Sequence, residues 1–335
     1  MAQAKKCRIV FMGTPDFGVA SLKRLARWNG GELVGVYTQP DRPAGRGHRI
    51  CMPPVKKCAL ELGYPVFQPH SLKDISEQRI LADLQPDFLA VAAYGLILPE
   101  AVLHTPKLDC VNVHASLLPA YRGAAPIQHA VIDSWRPGFR AGVTIMRITK
   151  TLDSGPVFAS ESVLVGNHTF GSLHDTLADL GAELLVTVLD DILEGNANPV
   201  PQDEALATYA PKISKKDSLI EWNSPSAIVH ARIRGVTPKP GAQVLLDFYN
   251  NPTLSPLRLC IAPGVISEQV SDEIPGTLVR DKKSLRIACS DFWYELTRVR
   301  PQGCGDMSVL DLLNGQLRTI PHGVCGRALP PQVET

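Results

Sequence analysis

The chain has 335 residues, 44% of them hydrophobic and 20% charged, and its net charge is +1. This length and composition are typical of a soluble globular protein with two domains, and they exclude fibrous and intrinsically disordered classes. A net charge this close to zero gives no general attraction to nucleic acids or membranes, so a site for a polyanion has to be local.

Near the N-terminus lies a short apolar run, CRIVFM (7–12). It is too short for the core of a signal peptide or for a membrane span. We therefore expect a buried strand here, and a cytoplasmic protein that does not associate with a membrane. The eight cysteines are scattered and contain no C-x-x-C pair, which favours reduced thiols over disulfides and offers no clustered zinc ligands.

Residues 1–200 alternate between strand and helix patterns. Apolar segments rich in β-branched residues predict strands at 7–12, 32–38, 87–93, 110–114 and 142–148. Helical patterns lie between these segments at 17–28, 54–62, 76–84 and 124–134, and a longer one follows Thr169 and stops at Gly195. The alternation predicts an α/β domain with a mostly parallel sheet that carries helices on both faces.

The rest of the chain has a different character. Residues 201–214 are polar and contain proline, so we interpret them as a linker between a first domain (1–200) and a second (215–335). The second domain contains short strand patterns, such as AQVLLDFY and SLRIACS, which are separated by Pro, Gly and Asn/Asp turns. This pattern predicts a small β-barrel or sandwich.

Two polar residues interrupt the predicted strand CVNVH. Asn112 and His114 alternate with Val111 and Val113, so both polar side chains share one face of the strand. The strand then breaks into the loop SLLP, and ligands of such sheets bind beyond the carboxyl ends of the strands. The pair is either a turn-capping Asn with a hydrogen-bonded core His, or part of an active site.

Asp153 follows the last predicted strand of the first domain, in the turn-forming segment TLDSGP. Asp-x-Gly often forms an Asx-turn, in which the carboxylate bonds to its own backbone. A carboxylate near His114 could also fix the tautomer of the ring and favour its protonated form. The two interpretations are compatible.

Three common nucleotide and hydrolase motifs are absent from the sequence. FMGTPDFGVAS follows a strand, but its glycines do not fit G-x-G-x-x-G. PAGRGH lacks the G-K-[ST] ending of a P-loop, and no G-x-S-x-G elbow occurs. These absences disfavour dehydrogenase, NTPase and serine-hydrolase functions.

The richest local cluster of positive charge is Arg42, Arg46, Arg49, Lys56 and Lys57, against the single Asp41. Its first part is a basic segment at 39–49, which contains Arg42, Pro43, Arg46, Gly47 and Arg49. Arginines spaced among Pro and Gly suit contact with phosphates. Composition alone, however, favours a solvated, flexible surface loop.

Several long motifs now identify a family. NVHASLLP, YRGAAPIQ and LDSG resemble the folate-dependent formyltransferases. FMGTPDFGVASL, QPDRPAGRGHRI, AAYGLILP and TYAPKISKKDSLIEW are similar to the members of that family that act on charged initiator tRNA. The resemblance covers essentially the whole chain after the first few residues.

This resemblance implies a Rossmann-like catalytic domain and a C-terminal barrel of the OB type that contacts tRNA. It implies 10-formyltetrahydrofolate as formyl donor, the amino group of methionine on initiator tRNA as acceptor, no metal, and a monomer. The residues that match the family's motifs fall into three groups. They are the catalytic Asn112, His114 and Asp153; the folate-binding Ser116, Leu117, Leu118, Pro119, Tyr94, Gly95 and Ile97; and the tRNA-binding Arg42, Pro43, Arg46, Gly47 and Arg49.

Two other functions compete with tRNA formylation. An amino-sugar formyltransferase would use the same donor and the same three catalytic residues, but a small sugar gives the basic segment at 39–49 nothing to contact. A non-catalytic RNA-binding protein would keep the barrel, but it would not need Asn112, His114 and Asp153. The sequence leaves open whether His114 relays a proton or stabilises an oxyanion.

Overall fold

A computed structural model describes residues 6–44, 49–249 and 255–330, apart from the side chains of Ala44 and Arg49. The close contacts in the chain divide it into two compact units. Unit 1 consists of Met1–Pro126, Ala141–Val163 and His174–Ala210. Unit 2 consists of Ile127–Arg140, Leu164–Leu173 and Pro211–Thr335.

Within the described ranges, nine strands precede the long helix of the chain. They are β1 (Cys7–Gly13), β2 (Gly31–Tyr37), β3 (Arg42–Ala44), β4 (Arg49–Cys51), β5 (Val66–Phe67), β6 (Phe88–Ala92), β7 (Asp109–His114), β8 (Arg140–Arg147) and β9 (Val157–Leu164). Six α-helices in the same ranges alternate with these strands or follow them. They are α1 (Phe17–Ala26), α2 (Pro54–Glu61), α3 (Ile75–Asp83), α4 (Glu100–Leu103), α5 (Pro126–Asp133) and α6 (Phe170–Glu194).

Seven of these strands form one sheet in the order β5-β2-β1-β6-β7-β8-β9. β1 pairs in parallel with β2 and β6, and β6 pairs in parallel with β7. The pairing of β7 with β8 is antiparallel and sets His114 opposite Thr144. Most of β1 and all of β6 are buried, which explains why their sequences are apolar apart from Arg8, the one residue of β1 that is only partly buried. The prediction of a Rossmann-like, mostly parallel sheet is confirmed.

The patterns missed some smaller elements of unit 1. β5 has only two residues, and half of the positions of β9 are exposed while none is fully buried, so neither gives a clear apolar signal. β3 and β4 form an antiparallel hairpin, with Arg42 opposite Cys51, inside the segment that composition favours as a flexible loop.

Unit 2 contains a nine-stranded sheet in the order β12-β15-β14-β13-β18-β10-β11-β16-β17. All its strand pairings of known register are antiparallel. The strands are β10 (Ala242–Phe248), β11 (Leu257–Ile261), β12 (Val265–Val270), β13 (Thr277–Arg280), β14 (Leu285–Ala288), β15 (Phe292–Glu295), β16 (Arg298–Pro301), β17 (Met307–Ser308) and β18 (Gly323–Leu329). Helices α7 (Ser226–Gly235) and α8 (Val309–Asn314) contribute Ile233 and Leu312 to its apolar core. The predicted β-rich second part, of barrel type, is confirmed as an antiparallel sheet curled into a half-barrel.

Three further features of the described ranges bear on function. No helix in them is long and apolar enough to cross a membrane. All eight cysteines lie within these ranges and none forms a disulfide there. The same ranges bring together no three His, Cys, Asp or Glu side chains as a metal-binding group.

Candidate active site

β7 presents Asn112 and His114 on one face of the sheet of unit 1. Val113, between them, packs towards α6, where a Cβ added to Gly181 would lie 2.7 Å from its Cγ1. Because side chains alternate along a strand, Asn112 and His114 point to the face opposite α6. Asn112 is half-buried and His114 is 6% exposed.

The loop after β7 is tied to β8. The Ser116 hydroxyl donates to the Ala120 carbonyl at 2.6 Å. The Thr144 hydroxyl donates to the Ser116 carbonyl at 2.7 Å and accepts from the backbone N–H of Leu118 at 3.2 Å. The Leu118–Pro119 peptide is cis, and Leu117, Leu118 and Pro119 are half-buried while Ser116 is buried. The predicted folate loop is therefore a fixed structure beside the polar pair of β7.

Both ring nitrogens of His114 face acceptor oxygens. Nε2 lies 3.1 Å from the carbonyl oxygen of Tyr121, which can only accept, so the proton of this hydrogen bond is on Nε2. Nδ1 lies 3.7 Å from Oδ1 of Asp153, which is ion-pair range but longer than a hydrogen bond. A ring that carries protons on both nitrogens would place a donor against each acceptor.

Asp153 is held by contacts with distant parts of the chain. Its backbone adopts φ 50°, in the left-handed region, and its Oδ2 accepts a 2.8 Å hydrogen bond from the backbone N–H of Gly123. The carboxylate therefore bonds 30 residues away, in place of the Asx-turn that the Asp-x-Gly spacing favours. Gly155, two residues on, packs against the Arg147 carbonyl so closely that no side chain would fit. The structure thus brings His114 and Asp153 together, and their catalytic role stays a prediction.

The Asn112 side chain makes no hydrogen bond with any residue that the structure describes. Its amide can donate two hydrogen bonds and its carbonyl oxygen can accept two. Because this half-buried amide has no partner among the described residues, it can form hydrogen bonds with a ligand at the carboxyl end of β7.

Sequence reasoning missed three residues that surround this centre. Arg122 is 1% exposed, and its guanidinium donates to both carboxylate oxygens of Glu204 at 2.8 Å. It also donates to Oε1 of Gln202, at 2.7 Å from Nη2 and 3.2 Å from Nε. The hydrogen bond with Glu204 raises the pKa of Arg122, and the same bond lowers the pKa of Glu204. Arg122 lies in the quoted motif YRGAAPIQ, whereas nothing in the local sequence marks Gln202 or Glu204.

The three predicted pocket residues after β6 differ in what they expose. Tyr94 is buried, its hydroxyl has no partner within the described chain, and burial raises its pKa above the ordinary range. Its carbonyl accepts hydrogen bonds from the Thr14 hydroxyl at 2.7 Å and from Nε2 of Gln39 at 3.2 Å. Gly95 has φ 79°, and a Cβ there would collide with the Gln39 amide. Ile97 is 80% exposed. A ligand at this loop would meet the Ile97 side chain, whereas the Tyr94 ring belongs to the core.

The predicted tRNA-binding residues lie on or between β3 and β4. Arg42 and Pro43 are exposed on β3, and Arg49 begins β4. Arg46 and Gly47 fall outside the residues that the structure describes.

An ion pair fixes the start of this hairpin. Asp41 accepts from Nζ of Lys56 at 2.7 and 2.9 Å and from Nε2 of Gln68 at 2.8 Å. These hydrogen bonds, that of Lys56 first, lower the pKa of Asp41. The exposed Arg42 therefore directly follows Asp41, whose side chain is held in place by these hydrogen bonds.

Known proteins resemble this chain in sequence along almost all of its length. Residues 7–189 match the family model described as formyl transferase, and residues 212–317 match the model of formyl transferase, C-terminal domain. A protein of Desulfovibrio desulfuricans named methionyl-tRNA formyltransferase is 57% identical over 334 residues, which cover 99% of each chain. A protein of Methylococcus capsulatus with the same name is 42% identical over 323 residues, or 96% of this chain and 99% of that protein.

Solved structures share the fold at much lower identity. HypX from Aquifex aeolicus, in complex with tetrahydrofolic acid, gives a TM-score of 0.61 at 16% identity, covering 94% of this chain and 48% of that one. WlaRD, described as a sugar 3N-formyl transferase, gives a TM-score of 0.61 at 15% identity, covering 90% of this chain and 99% of that one. At such identities the likeness concerns the fold alone.

Proposed function

This chain belongs to the formyl transferase family, and we propose that it transfers the formyl group of 10-formyltetrahydrofolate to the amino group of methionine on initiator tRNA. The observation that carries the proposal is the amide of Asn112, which has no hydrogen-bond partner among the described residues. It lies at the end of β7 beside His114 and Asp153, whose Nδ1 and Oδ1 are 3.7 Å apart. The relatives named methionyl-tRNA formyltransferase, which match almost end to end, support this acceptor.

In this proposal, 10-formyltetrahydrofolate donates the formyl group. The family and the tetrahydrofolic acid bound to HypX support a folate-derived formyl donor. Ser116, Leu117, Leu118 and Pro119 would form one wall of its site. The loop of Tyr94, Gly95 and Ile97 would form another, through backbone atoms and the Ile97 side chain.

Asn112 would act on the oxygen of the formyl group. Attack by the substrate amine forms a new C–N bond and places negative charge on this oxygen. The bond to the folate nitrogen then breaks, and the proton that the amine loses passes to that nitrogen. An N–H donor aimed at such an oxyanion contributes about 3–4 kcal/mol to transition-state stabilisation. The nucleophile comes from the substrate, so the protein needs no serine or cysteine for this reaction.

His114 and Asp153 would stabilise the charges that form during the transfer. The ring faces two acceptors, which favours the role of an electrostatic stabiliser of the oxyanion over that of a proton relay. The Asp153 carboxylate would then stabilise positive charge on the ring and fix its orientation.

The basic hairpin would bind the acceptor tRNA. Arg42, Arg46 and Arg49 would offer guanidinium groups to the phosphates, and Pro43 and Gly47 would shape the backbone between them. An amino sugar would leave them without a role. The C-terminal part (215–335) would add contacts to the tRNA backbone beyond the linker 201–214. Action on charged initiator tRNA fits a cytoplasmic, monomeric enzyme.

The test compares acceptors under one set of conditions. The protein is incubated with 10-formyltetrahydrofolate and either charged initiator tRNA or an amino sugar, and the formylated products are measured by mass spectrometry. We expect formyl-methionine on the tRNA and no formylated sugar. Formylation of the sugar alone would assign the chain to the sugar enzymes, and no product from either acceptor, despite tRNA binding, would favour a non-catalytic RNA-binding protein.

A further inference from the structure

Gln202 uses every hydrogen-bonding site of its side chain. Nε2 donates to the carbonyl oxygen of Asp153 at 2.9 Å and to that of Gly155 at 2.8 Å. Oε1 accepts two hydrogen bonds from the guanidinium of Arg122. The orientation of the amide is unambiguous, because carbonyls only accept and a guanidinium only donates.

Through these bonds, Gln202 joins the two loops that carry the candidate site. Arg122 lies in the loop after β7, next to Gly123, whose N–H binds the Asp153 carboxylate. Asp153 lies in the loop after β8, and its left-handed backbone needs support from its surroundings, because this conformation is unfavourable for a residue with a Cβ. The Gln202 bond to the Asp153 carbonyl supplies such support.

The segment that carries Gln202 is itself fixed to the loop after β7. Backbone N–H groups of Arg122 and Ala210 donate to the carbonyls of Thr208 and Arg122 at 2.8 and 2.7 Å. The Thr208 hydroxyl accepts from the backbone N–H of Tyr121, whose carbonyl binds His114. We call residues 202–210 the strap. Hydrogen bonds at Gln202, and at Thr208 and Ala210, therefore fix both ends of the strap relative to Asp153 and His114.

We propose that Gln202, held by Arg122, is a positioning residue for formyl transfer, which sets the Asp153 carboxylate against the His114 ring. The inference rests on the proposed function, because it assigns Gln202 a part in that reaction. Gln202 touches no reacting atom and acts only through Asp153.

The substitution Gln202→Glu removes the hydrogen-bond donor of the side chain and leaves its acceptor. It keeps acceptor oxygens for Arg122 but sets a carboxylate oxygen against the carbonyls of Asp153 and Gly155, which repels the Asp153 loop. Since a displacement of about 1 Å can cost about 100-fold in rate, we expect kcat to fall roughly 10- to 100-fold. The KM values for 10-formyltetrahydrofolate and charged tRNA should change less than about threefold, because no substrate contact is lost.

A double-mutant cycle with Asp153→Asn tests whether Gln202 acts through Asp153. If it does, Gln202→Glu lowers kcat in the wild-type background but changes it less than about twofold in the Asp153→Asn background. The uncharged Gln202→Met runs through the same cycle, so the test survives if Gln202→Glu fails to fold. Asp203→Ala is the control, because Asp203 lies on the strap but its side chain only caps a local turn by accepting from Ala205.

Coupling in this cycle, with Asp203→Ala at wild-type kcat, supports the proposal. Equal losses of kcat in both backgrounds, or an unchanged kcat in both Gln202 variants, overturn it. Each of these outcomes requires a wild-type enzyme that formylates charged tRNA. None of them therefore contradicts the proposed function. A wild type that does not formylate charged tRNA overturns both the function and the inference.

Discussion

The backbone N–H of Gly123 donates a 2.8 Å hydrogen bond to Oδ2 of Asp153. This bond joins the loop after β7 to the loop after β8, the two neighbouring strands that carry the candidate site. It also turns the other carboxylate oxygen, Oδ1, towards Nδ1 of His114. The two loops together therefore fix the orientation of this carboxylate.

Asp153→Asn should lower kcat by about 100-fold or more, because an amide keeps the shape but removes the negative charge beside His114. The Asn oxygen can still accept from Gly123, so we expect the variant to fold. Steady-state rates over a range of pH measure the loss and any change in the pH dependence of kcat. Asp203→Asn, an exposed change on the strap, is the matched control. A kcat within about threefold of wild type would remove Asp153 from the catalytic set.

Asn112→Ala should lower kcat about 100- to 1,000-fold, the usual effect of removing one oxyanion donor. The thermal unfolding midpoint should stay close to that of wild type, because the Asn112 side chain has no hydrogen bond to lose within the described residues. Rate measurements and a thermal melt on the same preparation check both statements. A rate loss that appears only together with a large loss of stability would point to a structural role.

Much of unit 1 could be predicted because its buried strands are mostly apolar runs, such as residues 9–12 in β1 and the whole of β6. Asn112 and His114 stood out because they interrupt such a run. The supporting contacts gave no signal, because Gln202 binds residues 47 to 80 positions away and no spacing or periodicity spans that distance. Tyr94 could be placed near the site by motif, but only the structure shows that its ring is buried.

Arg42→Ala together with Arg46→Ala should raise KM for charged tRNA and flatten its salt dependence. Each lost phosphate contact lowers the slope of log affinity against log salt by about 1. Binding measured at several salt concentrations gives this slope. Arg79→Ala, at an exposed arginine of α3, should leave both quantities unchanged. Unaltered tRNA kinetics in the hairpin variant would show that the hairpin does not bind tRNA.

His230 should make the stability of the protein sensitive to pH. Burial, and then the charge of Arg234, lower its pKa from 6.5 to about 4. Its Nδ1 lies 2.9 Å from the hydroxyl of Tyr294, which also accepts from the backbone N–H of Gly264. The Tyr294 hydroxyl can donate its proton to Nδ1 of a neutral His230.

Between pH 6.5 and 4, the unfolded chain therefore binds more protons at His230 than the folded chain does. The free energy of unfolding should fall by roughly 2–3 kcal/mol as the pH drops through this window, and the contribution is fully present above pH 6.5. Urea unfolding at pH 7 and 4.5 should show a smaller difference for His230→Gln than for wild type. His104→Gln, at an exposed histidine, is the control. Equal pH dependence in wild type and His230→Gln would contradict the assignment.

The most direct test of the account is single-turnover formation of formyl-methionyl-tRNA from 10-formyltetrahydrofolate by wild type, Asn112→Ala and Asp153→Asn. We predict rapid product formation by wild type and a loss of about 100-fold or more in each variant, with tRNA affinity unchanged. No product from wild type, or variants that react as fast as wild type, would contradict it.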